Sequence, residues 1–370
     1  EVVCALESTG SFAVPLMNFL LECGFHVVQV STKAAKANRG TRETSFDKND
    51  RQDARNILDL VFQAKVKYAH APTSEEKEMR VLLKVLESAR AELRAVKTKL
   101  RNNYLAEVFP ELDSLYSDIL HPDVVKVLRE FGRPAAIRQV SLEEFLSRVG
   151  GKDKGKDKRS VAKLKLVWEK AQESIGVDAC EAHLQMLKHL LDKGEALQAE
   201  IAELEDELVK VCDPSVYVLG MSVPGIGALI AAVLIGYIGC VGRFKVADQL
   251  LKFFGMSLAQ IQSGERTGHI GLCKAGHAIP RWRMHQAARA AVRHHPEFAR
   301  WFELEVAKRG GSKDAERIAL TKIACKLVRI LYGVLKSGRP YDRQMVVDRV
   351  NKLIEQHNSR LELGRVELVV

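Results

Sequence analysis

Residues 2–30, VVCALESTGSFAVPLMNFLLECGFHVVQV, decide the architecture of the first part of the chain. Val2 to Leu6 is an apolar run long enough for a buried strand and too short for a helix. Ser11 to Glu22 places apolar residues at helical spacing. Pro15 stands near its first turn, where a missing N–H is harmless, and Gly24 ends it. His26 to Val30 is a second run rich in β-branched valine. Strand, helix and strand in close succession call for a parallel pair joined by a helical crossover, an α/β arrangement. The chain opens directly on its first apolar run, so further strands are expected upstream.

Asn49 to Gln63 continues the alternation as a helix, and Val66 to Ala69 as a short extended piece. Glu7 ends the first strand, where open α/β sheets place their ligands. Asp50 and Asp53 are three apart at a helix start and share a face. The three carboxylates could converge on a divalent metal, and oxygen donors of this kind select magnesium or manganese over zinc. Alternatively Asp50 caps its helix and Asp53 is solvated.

Beyond residue 70 the pattern turns helical. Thr73 to Pro110 carries a seam at Met79, Leu82, Leu86, Ala89, Leu93, Val96 and Leu100, and its other face carries Arg90, Arg94, Lys97, Lys99 and Arg101. Residues 150–160, GGKDKGKDKRS, hold five basic and two acidic residues and are expected to form a flexible loop open to phosphate. Cys180 to Val211 repeats apolar residues at four-three spacing through His183, Leu187, Leu190, Gly194, Leu197, Ile201, Leu204, Leu208 and Val211. That is a coiled-coil pattern, assigned to dimerisation or bracing. Ser222 to Gly227, SVPGIG, has the form of a helix-hairpin-helix turn, whose Gly225 and Gly227 would offer backbone N–H groups to phosphate. Ala228 to Gly239 reads as a buried helix, and Asp314 to Leu335 as an amphipathic one with Asp314 as its cap.

The chemistry-bearing stretch is Gln262 to Arg293, QSGERTGHIGLCKAGHAIPRWRMHQAARAAVR. Gly264, Gly268 and Gly271 exclude a regular helix at its start. Six cations (Arg266, Lys274, Arg281, Arg283, Arg289, Arg293) face one acid, Glu265, which suits a polyanion. Ser263 is a small nucleophile within that field, and cations there would stabilise charge on a phosphoryl group under attack. A plain Ser-Gly turn is the competing explanation. His269, Cys273 and His277 are four apart and could ligate zinc, but Gly271 and Gly276 argue against the helix that this spacing needs.

The whole chain bounds these choices. Its 370 residues and net charge of +10 fit two or three domains with affinity for nucleic acid. Seven cysteines without a pairing pattern, no signal peptide and no apolar run of span length point to a cytoplasmic location away from membranes.

Taken in order, Glu7-Ser8-Thr9-Gly10, Lys48 to Ala54 (KNDRQDA), Val223 to Gly227 (VPGIG), Ile238-Gly239 with Arg243-Phe244, Gln262-Ser263-Gly264, Lys274 to His277 (KAGH) and Arg281 resemble one family. It is the DEDD-type transposases of the insertion-sequence-110 group, which are RNA-guided serine recombinases. The resemblance implies an N-terminal RuvC-type, RNase H-like domain whose acids hold Mg2+. Glu7, Asp50 and Asp53 match the last three acids, and the first aspartate is expected before residue 1. It implies that Ser263 bonds covalently to DNA, that a structured bridge RNA pairs with donor and target DNA, and that the protein acts as a dimer or tetramer. Cys273 stands where the family usually has serine.

The expected fold is therefore α/β plus α. A RuvC/RNase H-like domain lacking its first strands spans 1–140, a charged loop and coiled coil 141–212, a mainly helical transposase domain 213–345, and a tail 346–370. Gly225, Gly227, Arg243, Arg266, Lys274, Arg281 and Arg283 are the expected nucleic-acid contacts. Replacing Arg281 and Arg283 together is expected to lower the salt dependence of binding. The expected mechanism is attack by Ser263 on a phosphodiester with metal assistance. Its rivals are a metal-dependent, junction-resolving endonuclease and a non-enzymatic nucleic-acid scaffold.

Overall fold

The computed structural model of the protein describes residues 2–7, 10–42, 50–70, 72–150, 157–259, 262–263, 266–267 and 271–367; at 11, 41, 42, 50, 259, 262, 263, 266, 267 and 357–367 it describes the backbone alone. Among the described residues the fold is mostly helical, with one three-stranded sheet and two two-stranded ladders. It separates into two compact units, Glu1–Lys77 with Gly239–Lys245, and Glu78–Ile238 with Val246–Val370. Among the described residues no helix is long and apolar enough to cross a membrane.

In the first unit β1 (Val3–Glu7) pairs in parallel with β2 (His26–Val30), with Val3 opposite His26 and Glu7 opposite Val30. The connection is α1 (Ala13–Glu22), as the apolar spacing predicts. β3 (Lys67–Tyr68) adds to the far side of β2 in the antiparallel sense. Two helices lie between β2 and β3: α2 (Thr32–Arg42) and α3 (Asp50–Phe62). α3 is expected from the sequence and α2 is not. TKAAKANRGTR has no apolar stripe, and among its described side chains only Ala35 is buried, packed with Val30 and Leu60. What holds α2 is polar. The buried Asn56 of α3 donates to the Ala35 carbonyl at 2.8 Å and accepts from Asn38 at 2.8 Å.

The second unit is helical. α4 (Ser74–Leu100), whose residues from Glu78 onward belong here, runs through a π turn at Arg101–Leu105 to Val108. Its buried stripe is Met79, Leu83, Leu86, Ala89, Val96 and Leu100; Leu83 replaces the expected Leu82, which is half-buried. Residues 110–172 form α5 (Pro110–Leu115), α6 (Pro122–Glu130), α7 (Leu142–Arg148) and α8 (Lys158–Gln172). α8 starts at Lys158 with Asp157 accepting from the Arg159 N–H, so the end of the expected charged loop is helix; residues 151–156 lie outside the described part.

α9 (Glu181–Val211) is the predicted heptad helix. Its seam meets helices of the same unit, because Leu187, Leu190, Leu191 and Leu197 share a core with Leu100, Tyr104, Leu120 and Leu128. Of the two expected roles, dimerisation or bracing, this part of the seam serves bracing, because its apolar face is covered within the chain. Gly194, which weakens the pattern on paper, makes room for Leu120, since a Cβ there would lie 2.8 Å from a Leu120 methyl.

α10 (Pro214–Ser222) and α11 (Ala228–Ile238) flank the glycine turn, and α12 (Ala247–Phe253), α13 (Ala278–His294), α14 (Pro296–Ala307), α15 (Lys313–Ser337) and α16 (Arg343–Glu367) follow. α11 is buried nearly throughout, as its apolar sequence predicts. One cap is corrected. Ser312, not Asp314, caps α15, its hydroxyl accepting from the Ala315 N–H at 3.1 Å; Asp314 sits in the first turn. The segment expected as a tail from 346 is helical through Glu367, with Val346 and Val350 buried.

The glycine turn is a packing device. Gly225 has φ +78°, and a Cβ there would lie 2.1 Å from the Ala287 carbonyl oxygen and 2.8 Å from the Ala291 nitrogen of α13. Around Gly227 a Cβ would meet nothing within 4 Å. Gly225→Ala should therefore destabilise the protein by roughly 3 kcal/mol, from a forbidden φ plus a backbone clash. Gly227→Ala should stay within about 0.5 kcal/mol of wild type. Urea unfolding of the two variants checks this, and equal effects would contradict it.

Candidate nucleic-acid interface

The Ser263 segment folds as nested antiparallel ladders. β4 (Leu258–Ala259) pairs with β7 (Gly271–Leu272), and within them β5 (Gln262–Ser263) pairs with β6 (Arg266–Thr267). Ser263 is opposite Arg266, at the last paired position before residues 264–265. The glycines thus mark a hairpin where the sequence predicts only a shaped loop. The side chains of Ser263, Arg266 and His269 lie outside the described residues.

The root of the hairpin is tightly packed. Gly255 and Gly276 press backbone to backbone. A Cβ on Gly276 would lie 2.3 Å from the Gly255 nitrogen, and Gly255 itself has φ +67°. The Cys273 N–H donates to the Ser257 carbonyl at 2.8 Å and the His277 N–H to the Phe253 carbonyl at 2.9 Å. Arg281, from the first turns of α13, donates to the Lys274 carbonyl at 3.2 Å and the Phe254 carbonyl at 3.4 Å. One guanidinium therefore bridges both stems. Arg281 is half-buried and its contacts there are structural. Lys274 is exposed, with φ +53°. His277 packs its ring on Phe253 and Tyr237, with centroids 4.5 and 5.2 Å apart.

Arg283 departs from expectation. It is 6% exposed, and its guanidinium stacks on Trp282, donates to Gln286 at 3.0 Å and lies 3.8 Å from Glu205 of α9. Glu205 also holds Arg90 of α4. Burial first, and the Arg90 charge second, pull the Arg283 pKa down to about 10 against the opposing pull of Glu205; it remains a cation at neutral pH. Arg283 is therefore a helix-to-helix tie, and the expectation that it meets DNA is corrected by its burial. The same holds for part of the α4 basic face. Besides Arg90, Lys97 pairs with Asp118 at 2.8 Å and Arg101 with Asp113 at 2.7 Å. Arg94 and Lys99 are exposed. Arg243, in the first unit, is exposed and lies over the Phe244 ring at 4.8 Å.

The acids belong to the first unit. Glu7 closes β1 and is half-buried; α3, which opens at Asp50 and carries Asp53 on its first turn, packs against β1. Asp53 is ion-paired with Arg39 of α2. Sequence reasoning missed Arg39 because it missed its helix; the available signal was Ser31, whose hydroxyl caps α2 by accepting from the Ala34 N–H at 3.2 Å. Carboxylates on two packed elements fit a hard divalent cation in donor chemistry, although Arg39 already neutralises one of them. Among the described residues no three His, Cys, Asp or Glu side chains gather closely enough to hold a metal, and the Asp50 side chain is outside that set.

Comparison with known proteins follows the same two segments. Residues 219–303 match the transposase IS116/IS110/IS902 family, and residues 1–110 match a DEDD-type transposase family of the IS110 group. The chain belongs to the IS110 family of transposases. It is 25% identical over 345 residues to an insertion element IS116 protein of Streptomyces clavuligerus, covering 92% of this chain and 84% of that one. It is 24% identical over 302 residues to the transposase of insertion sequence element IS1111A from Coxiella burnetii, covering 80% and 68%. A transposase acts on DNA, and the hairpin with its basic root falls inside the C-terminal family match. The DEDD type of the N-terminal match accords with dependence on a divalent metal.

The Arg90–Glu205–Arg283 cluster yields a test of which arginines of the transposase meet DNA. Glu205→Gln leaves two partly buried guanidiniums without their counter-ion and should destabilise by roughly 2–3 kcal/mol. Arg283→Met relieves the repulsion of two cations and should change stability by no more than about 1 kcal/mol. It should also leave the slope of log affinity against log salt for DNA unchanged. A slope lowered by Arg283→Met would return that residue to the interface.

Proposed function

We propose that this transposase is an RNA-guided recombinase that cuts and rejoins DNA through a phosphoserine at Ser263, with Mg2+ held by Glu7, Asp50 and Asp53. The observation that carries it is the position of Ser263 at the tip of a hairpin rooted in the basic segment. A hairpin on a fixed root presents its tip to a ligand while the root keeps its place, which suits a nucleophile that must meet a phosphodiester. In the first step the Ser263 oxygen forms a bond to phosphorus, the bond to the departing deoxyribose oxygen breaks, and the proton lost from serine is balanced by one taken up on that oxygen. A hydroxyl of the strand to be joined then reverses the step, so no bond energy is lost and no ATP is needed. Bound Mg2+ would supply charge neutralisation at a phosphoryl oxygen. Glu7, Asp50 and Asp53 act by binding that ion, and Arg39 holds the Asp53 carboxylate until it does.

The same proposal takes residues 1–140 as the RuvC-like domain, 141–212 as the charged loop and bracing helices, 213–345 as the serine-bearing transposase domain and 346–370 as an appended segment. It takes a structured bridge RNA as the guide that pairs with donor and target DNA in a cytoplasmic dimer or tetramer. The net charge of +10 supports binding of both nucleic acids. Exposed Lys274, Gly227 and Arg243, together with Arg266, are the phosphate contacts it names, with Gly225 shaping the turn and Arg281 holding the hairpin root.

The deciding experiment uses labelled DNA, guide RNA and Mg2+, followed by denaturation to reveal protein bonded to DNA. Wild type should give an adduct, and Ser263→Ala should give neither adduct nor cut strand while binding DNA as before and losing at most about 0.5 kcal/mol of stability. Ser257→Ala, close by in the same segment, should keep activity. Cleavage by Ser263→Ala at the wild-type rate would make the protein a metal nuclease using water. Absence of Mg2+-dependent cleavage by the wild type would leave it a binding scaffold.

A further inference from the structure

One face of α13 is exposed among the described residues. At 100° per residue, Trp282, Arg289 and Arg293 fall within about 40° of one another, and all three are exposed, Trp282 at 49%. The opposite face, with Met284, Ala287, Ala288 and Ala291, is buried. No acid occurs between Ala278 and His294. His285, beside the stripe, has its pKa lowered by burial first and then by Arg289 and Arg281, so the field along this face is positive. The stripe runs about 16 Å, and its tryptophan end adjoins Arg281, which bonds to the hairpin root.

Trp282 is also braced. The Arg283 guanidinium lies 4.7 Å from its ring centroid and is itself fixed by Gln286 and Glu205. A buried cation therefore backs the indole while half of its surface stays open. An exposed aromatic held in place next to aligned arginines is the arrangement that takes single strands, with bases on the ring and phosphates on the guanidiniums. A paired duplex keeps its bases stacked inside and cannot use the ring.

We propose that Trp282, Arg289 and Arg293 form a track for single-stranded DNA, in which Trp282 stacks one unpaired base at the end nearest the Ser263 hairpin and the two arginines hold the following phosphates. It rests on the assignment of Ser263 made above in one respect, namely that the stacked base lies near the scissile phosphate. Recombination exposes unpaired strands, and the track would hold one while its end awaits joining.

The test uses the full chain, a short DNA oligonucleotide and the same sequence as duplex. The protein has three tryptophans; Trp301 is 8% exposed and Trp168 half-buried, so quenching of fluorescence by single-stranded DNA should come from Trp282. Trp282→Ala should weaken single-strand binding roughly five- to hundred-fold, leave duplex binding unchanged and abolish the quench; Trp282→Phe should recover most of the affinity. Replacing Arg289 and Arg293 by glutamine should lower the salt slope for single strands by about 1.4, whereas Trp282→Ala should not move it. The track is refuted if Trp282→Ala binds single strands like wild type, if it weakens duplex and single strand alike, or if RNA of the same sequence binds ten-fold tighter than DNA. A wild type that shows the quench without forming an adduct would remove the Ser263 assignment and keep the track. A wild type that forms the adduct while Trp282→Ala binds unchanged would do the reverse.

Discussion

The contact between the backbones of Gly255 and Gly276 is the constraint on which the second unit's surface chemistry depends. Two stems can approach this closely only without side chains, since a Cβ on Gly276 would lie 2.3 Å from a backbone nitrogen. Close approach alone would leave a gap in hydrogen bonding at the carbonyls of the two stems, Phe254 and Lys274. Arg281 removes it by donating across the junction to both. Because Arg281 is also part of α13, the hairpin bearing Ser263 is tied to the helix that packs on Gly225 and on α15.

The same helix is held from its other side by charge. Arg283 and Arg90 share Glu205, so α4, α9 and α13 meet at a cluster with one excess positive charge among its three members. Such a cluster contributes little net stability, yet it fixes which helix face is inward. That choice turns Trp282, Arg289 and Arg293 outward together.

Elements with an apolar period were legible in the sequence, and elements held by polar contacts were not. β2 begins and ends where the valine run does, and α9 begins one residue after Cys180, because burial of a stripe or a strand face leaves a periodic trace. α2 left none, being fastened through Asn56, Asn38 and Arg39, whose partners are far apart in sequence. The basic residues of the Ser263 segment were countable but not sortable. Composition gives Arg281, Arg283 and Arg289 the same weight, whereas one bridges backbone carbonyls, one is buried and one is exposed, and only helix phase against a packed neighbour separates them. Gly225 was legible as a glycine that matters, and its physical reason, a neighbouring helix at van der Waals distance, was not.

The π turn at Arg101–Leu105 has a consequence for how this chain can change length. A π turn accommodates one residue more than the α turn it interrupts, and here the buried positions in and just after it come in the pairs Tyr104–Leu105 and Val108–Phe109. The extra residue thus sits inside a helix, where a loop would ordinarily hold it. Deleting a residue there would rotate everything downstream by about 100°, placing the exposed Ala106 where Leu105 is buried. The distance from Met79 to Phe109 behaves as a single register, so length variants of this protein should collect on either side of it and be missing from within.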